Sequence, residues 1–75
     1  MAATAPPANR LREIRAVLAI SQRQLAIRSG LTSRAIRQVE SGAVHPKLET
    51  ARAIANALGT TMDHIFPPEA SDGGR

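Results

Sequence analysis

Apolar residues return at helical intervals in five places along this chain, and each run is bounded by residues that cap or turn the backbone. Leu11, Ile14, Val17 and Leu18 form the first stripe and predict a helix over Arg10 to Ala19. Either Pro7 at a first-turn position or Asn9 as a cap begins it. In the second run Leu25, Ala26 and Ser29 share one side behind Ser21, a candidate N-cap, and Gly30 ends the element. The third places Ala35, Ile36 and Val39 together behind Thr32 as cap, and Ser41-Gly42 closes it. Leu31 and Ile36 have the spacing of a hydrophobic staple, although Ala35 rules out a capping box there. Leu48, Ala51, Ile54, Ala55 and Leu58 predict a fourth helix of about eleven residues, with Lys47 a poor cap and Gly59 the stop. A last turn starts at Thr61, carries Met62, Ile65 and Phe66, and ends at Pro67-Pro68.

This pattern describes an all-α fold of five short helices, and its second and third members, hinged at Gly30, read as a helix-turn-helix. On the third, the arc opposite the apolar side holds Arg34, Arg37, Gln38 and Ser41 and contains no Asp or Glu. A solvated face is the plain explanation of such an arc. The choice of residues points further, because arginine pairs with guanine edges, glutamine pairs with adenine edges, and a helix fits the major groove.

Two charges do not sit on the wet side. Arg15 lies four residues after Leu11 and three before Leu18, at the edge of the first stripe, and Glu40 lies four after Ile36 on the third helix. Their placement predicts an ion pair that braces the first helix against the third; the competing reading is two unconnected surface charges.

Composition narrows the partner. At 75 residues the chain allows one domain, and tails expected to be flexible at residues 1–8 and 67–75 leave a foldable part of residues 9–66. A domain of that size buries only about 60% of its unfolded-chain surface, and with no cysteine it must hold by packing. Hydrophobic content is 43%, with neither a long apolar run nor a charged-then-apolar leader, so a cytoplasmic, nucleoid-associated protein is expected and a membrane partner is not. The net charge of +4 is unevenly spread: residues 1–47 carry eight basic and two acidic side chains, and residues 48–75 two basic and four acidic. A polyanion would gather beside the basic half, where neutralised phosphates release counterions. Lipid surfaces and single-stranded nucleic acid both call for aromatic side chains, and Phe66 is the one aromatic present. Duplex DNA is the remaining polyanion.

With those residues placed, the chain resembles the Cro and lambda-repressor-like helix-turn-helix family, often called the Xre family. The resemblance covers Arg10 to Phe66 and rests on an ordered set: LREIR, ISQRQLAIRSGL, TSRAIRQVESG and HPKLETARAIANALGTTMDHIF. It implies a compact five-helix, lambda-repressor-like domain that binds operator DNA as a symmetric homodimer and regulates transcription, most often as a repressor. Ser33, Arg34, Arg37 and Gln38 would then face the major groove, with Arg34 and Gln38 leading. Gln22, Arg23, Ser41, His45, Lys47 and Arg10 would meet phosphates. The chain departs from the family at Ala43-Val44-His45, where relatives carry cations, and at Lys47, where they carry a capping serine. The Arg15 to Glu40 pair also recurs in family members of the phage-repressor type.

Around Leu58, Thr60, Met62, Ile65 and Phe66 the apolar residues exceed what a short terminal turn buries, so they are either dimer contacts or the lid of the core. Ile27, on the wet side of the second helix, is either ordinary surface or a contact for a protein partner. Ile27, Val44 and the C-terminal tail together motivate the alternative function, an antitoxin or adaptor that holds another protein. An enzyme is least expected: His45 and His64 are the only imidazoles, neither lies in a nucleophile motif, and no metal-ligand spacing or cofactor motif occurs.

Overall fold

The computed structural model describes residues 8–67. Apart from Ala8 and Pro67, the tails expected at residues 1–8 and 67–75 lie outside the described residues, as does Pro7 as a helix start. Five helices follow in order: α1 (Leu11–Leu18), α2 (Gln22–Ser29), α3 (Ser33–Ser41), α4 (Leu48–Leu58) and α5 (Met62–Ile65). The described residues form no strand, and no helix among them is long and apolar enough to cross a membrane.

Each helix contributes one aliphatic side chain with no exposed surface: Leu11, Leu25, Ile36, Ile54 and Ile65. Around these, Ile20, Ala26, Val39, Ala55 and Leu58 complete the core, and Ile14, Leu31, Ala57, Met62 and Phe66 pack on its margin. α2 packs against both α3 and α4, and α5 rests on α4. The chain is drawn together at its start, where the Arg10 N–H donates to the carbonyl of Ile65 at 2.9 Å. Arg10, and not Asn9, takes the cap position of α1 and makes no side-chain bond there, yet Asn9 just before it serves the helix start. Its side-chain oxygen accepts from the Leu11 N–H and its amide donates to the carbonyl of Val39, so one residue joins the start of α1 to the end of α3.

Capping chemistry sets the helix boundaries. Ser21 and Gln24 form a reciprocal capping box, each side-chain oxygen accepting from the other's backbone N–H at 2.9 Å. Thr32 accepts from the Ala35 N–H and Thr61 from that of His64. Gly30 takes φ +76°, the left-handed conformation that lets α2 stop and α3 leave at a new angle. Lys47 stands before α4 with no side-chain bond to the helix.

Two stretches of the expected apolar stripes are not buried. Val17 is 80% exposed and Leu18 48% exposed, because α1 ends early: Ala19 turns left-handed at φ 57° and carries Ile20 into the core in their place. On α1, moreover, Val17 lies about 120° around the axis from Leu11 at 100° per residue, off the packed side. Leu48 is 64% exposed, at the rim of a depression that it shares with Ala51, Met62 and Phe66.

Candidate nucleic-acid interface

The face that a partner could meet is built on α3. Ile36 and Val39 fix its inner side in the core, and the Leu31 staple residue packs beside them. With that side locked, Arg34 and Arg37 emerge exposed, while Ser33 and Gln38 are half-buried. Glu40 is the one acid on α3, and it is turned away from solvent, its side chain only 7% exposed. The outer face of the helix is therefore cationic, and the one acid beside it, Glu40, is already paired with Arg15.

A polar network holds α3 to α1 and α2. Arg15 grips Glu40 with two bonds: Nε donates to Oε2 at 2.5 Å and Nη2 to Oε1 at 3.1 Å. Its third nitrogen, Nη1, donates to the carbonyl of Ile20 at 2.9 Å. Gln22 Nε2 adds a bond to Glu40 Oε1 at 3.1 Å. A forked guanidinium meeting a carboxylate fixes orientation as well as distance, so rotation of α3 about its axis is restrained. The hydrogen bond that Arg15 donates to Glu40 raises the Arg15 pKa above its ordinary value, and burial opposes this more weakly. Arg15 thus stays charged throughout the pH range in which a protein folds.

Above that network lies an open cleft between α1, the start of α2 and α3, lined by Arg12, Arg15, Gln22, Arg37, Gln38, Glu40 and Ser41. Of the residues expected to meet phosphates, Gln22 and Ser41 stand in it. Gln22 spends one amide hydrogen on Glu40 and keeps the other. Ser41 is committed to the end of its own helix, donating to the Gln38 carbonyl and accepting from the Ala43 N–H, so its hydroxyl has no second proton to give.

The remaining expected contacts are scattered. Arg23 and Lys47 are exposed on α2 and ahead of α4, and His45 lies in the loop beside Pro46 and Phe66. Arg10 lines a separate depression with Glu13, Leu58 and His64 and is not part of the cleft. Arg12, which the apolar stripes of the sequence did not single out, is. Its signal was available: it stands three residues before Arg15, one turn along the same helix.

The residues considered for dimer contacts divide as well. Ile65 has no exposed surface and Leu58 only 8%, so both close the chain's own core and are not free for a second copy. Thr60, Met62 and Phe66 remain half-buried.

Two helices joined at a left-handed glycine, the second locked on its apolar side and cationic on the other, define a helix-turn-helix protein. Residues 11–65 match the helix-turn-helix family model, and the chain belongs to that family, in its Xre or lambda-repressor-like form. The HTH-type transcriptional regulator PuuR of Escherichia coli (strain K12) is 37% identical over 67 residues, which cover 88% of this chain and 36% of that protein. The protein of the same name from Shigella flexneri matches to the same extent. This chain spans about a third of the length of those curated relatives. Among solved structures, the crystal structure of ComR from Streptococcus suis is similar with a TM-score of 0.69 and 25% identity, over 83% of this chain and 20% of that one.

Proposed function

We propose that this chain is a sequence-specific regulator that binds double-stranded DNA through α3, acting as a repressor dimer on a palindromic operator. The observation that carries the reading is the exposed cationic face of α3, whose one acid is taken up by Arg15, held at a fixed rotation by the Arg15–Glu40–Gln22 network. A helix so held can present Arg34 and Gln38 to base edges, with Ser33 and Arg37 beside them. Gln22, Arg23, His45 and Lys47 are the candidates for backbone contacts around it. The names of the PuuR relatives support a role in transcription. A place on DNA in the cytoplasm goes with that role. A dimer would set two α3 helices about 34 to 36 Å apart, one turn of duplex.

The test is binding to duplexes selected from a random pool, compared with scrambled duplexes. Arg34→Ala and Gln38→Ala should each lose about 1 to 3 kcal/mol of discrimination. Equal losses on selected and scrambled duplexes would remove both residues as base readers. Selected sites without two-fold symmetry, together with one protomer per site by sedimentation, would remove the dimer. A second reading, an adaptor or antitoxin that holds another protein, draws on Ile27, which is 71% exposed on α2. Recovery of the chain with a stoichiometric partner and no affinity for DNA would favour it.

A further inference from the structure

Arg12 and Arg37 hold corresponding positions on two helices. Arg12 precedes Arg15 by three residues on α1, and Arg37 precedes Glu40 by three on α3. Residues three apart share a helix face. The Arg15–Glu40 pair that clamps the helices together therefore also brings Arg12 and Arg37 to one opening, and both line the same cleft. Among the described residues neither guanidinium has a side-chain hydrogen bond or an ion pair, although Arg15 beneath them uses all three of its nitrogens. The only acid lining the cleft is Glu40, and Arg15 already neutralises it.

Two cations that share a cleft whose one acid is already paired leave that opening positively charged. An anion seated between them is attracted by both. Guanidinium forks match the oxygens of a phosphate group, and the free amide hydrogen of Gln22 supplies a further donor in the same cleft. We propose that Arg12 and Arg37 form a phosphate clamp, closing on one phosphodiester of the DNA backbone beside the groove that α3 enters. The assignment rests on the DNA-binding reading above and refines it: Arg37 becomes a residue of affinity, and base discrimination falls to Arg34 and Gln38. Arg12 joins the interface as a contact from α1.

The experiment compares Arg12→Gln and Arg37→Gln with Arg52→Gln, an exposed α4 arginine outside the cleft that removes the same charge. Duplex affinity is measured on selected and scrambled DNA between 50 and 200 mM salt. Losing one phosphate contact lowers the salt slope by about 0.9, so the wild-type advantage over either cleft variant should shrink about 3.5-fold across that range. The two sequences should be affected equally, and Arg52→Gln should change neither affinity nor slope by as much. In a second arm, inorganic phosphate is titrated into the DNA-free protein and the Arg12 and Arg37 resonances are followed by NMR.

Saturable shifts that vanish in Arg12→Gln, together with the altered slope, support a backbone clamp. Such shifts with unchanged duplex binding keep the phosphate site but give it to a free phosphorylated ligand. No shifts and an unaltered slope overturn the clamp, and if operator binding still depends on Arg34, the DNA-binding reading survives without it. A wild-type chain that binds no duplex removes that reading, and the phosphate titration alone then decides the cleft.

Discussion

Arg15 shows how much one side chain can be asked to do in a domain this small. Its guanidinium satisfies Glu40 on α3 and the carbonyl of Ile20 at the turn into α2, so two helices and a turn meet at one group. Arg15→Ala leaves the Glu40 carboxylate, 7% exposed, with only the Gln22 amide. Breaking a buried pair from one side costs about 3 to 5 kcal/mol, and the lower end applies here because water reaches Arg15 itself. Thermal unfolding should fall by more than about 10 °C; a shift below about two degrees would show the pair to be incidental. Replacing both partners, Arg15→Met with Glu40→Leu, should recover part of the loss, since no charge is then stranded. The pairing was legible in the sequence because both charges sat at the edge of apolar stripes. That Gln22 also bonds Glu40 was not: nothing in residue spacing reveals which of its amide hydrogens a neighbouring helix will use.

Among the elements, α1 departs furthest from its pattern. A stripe of Leu11, Ile14, Val17 and Leu18 reads as one continuous buried face, yet the helix stops at Leu18 and Ala19 takes a left-handed conformation. Ala19 N–H and Ile20 N–H still close the helix end on the carbonyls of Ala16 and Arg15, so the turn is bonded like a glycine-ended one without having glycine. A Cβ in that region costs about 1 to 2 kcal/mol. Glycine would relieve this at an unfolded-chain entropy cost of about 0.4 to 1 kcal/mol. Ala19→Gly should therefore raise the urea midpoint, by a net gain of up to about 1 kcal/mol, and a lowered midpoint would contradict the strain. α2, by contrast, was nearly complete in its sequence: Ser21 at its start and Gly30 at its end both do what their chemistry suggests. The box with Gln24 is spelled out as Ser-x-x-Gln and needed only a check of the third residue.

For the whole molecule, stability is spread over five helices that each bury one large aliphatic side chain completely. None of these helices is long enough to persist alone in water. α5 has only four residues, and Ile65 is its single buried one, yet its carbonyl also receives the Arg10 N–H and so closes the bundle. Ile65→Ala should cost about 2 to 5 kcal/mol. Against the few kcal/mol available to so small a domain, that predicts a chain partly unfolded near body temperature, with helical circular dichroism reduced. Full retention of the signal would mean that α5 is an appendage and its buried residue no part of the common core. The same burial explains why Leu58 and Ile65 could not be assigned from sequence: an apolar residue at a chain end fits a core or an interface equally well.

What the sequence determined by itself is local. Period, caps and glycines act within three or four residues, so five helices, the corner at Gly30 and the cationic arc of α3 were all readable from the order of residues. What only the tertiary structure decided is which of several eligible groups meet. Ile20 displaces Val17 and Leu18 from the core, and Arg12 joins Arg37 at one cleft while Arg10 faces another. Each of those outcomes depends on the angle at which helices cross, and that angle is set by packing among residues distant in the chain.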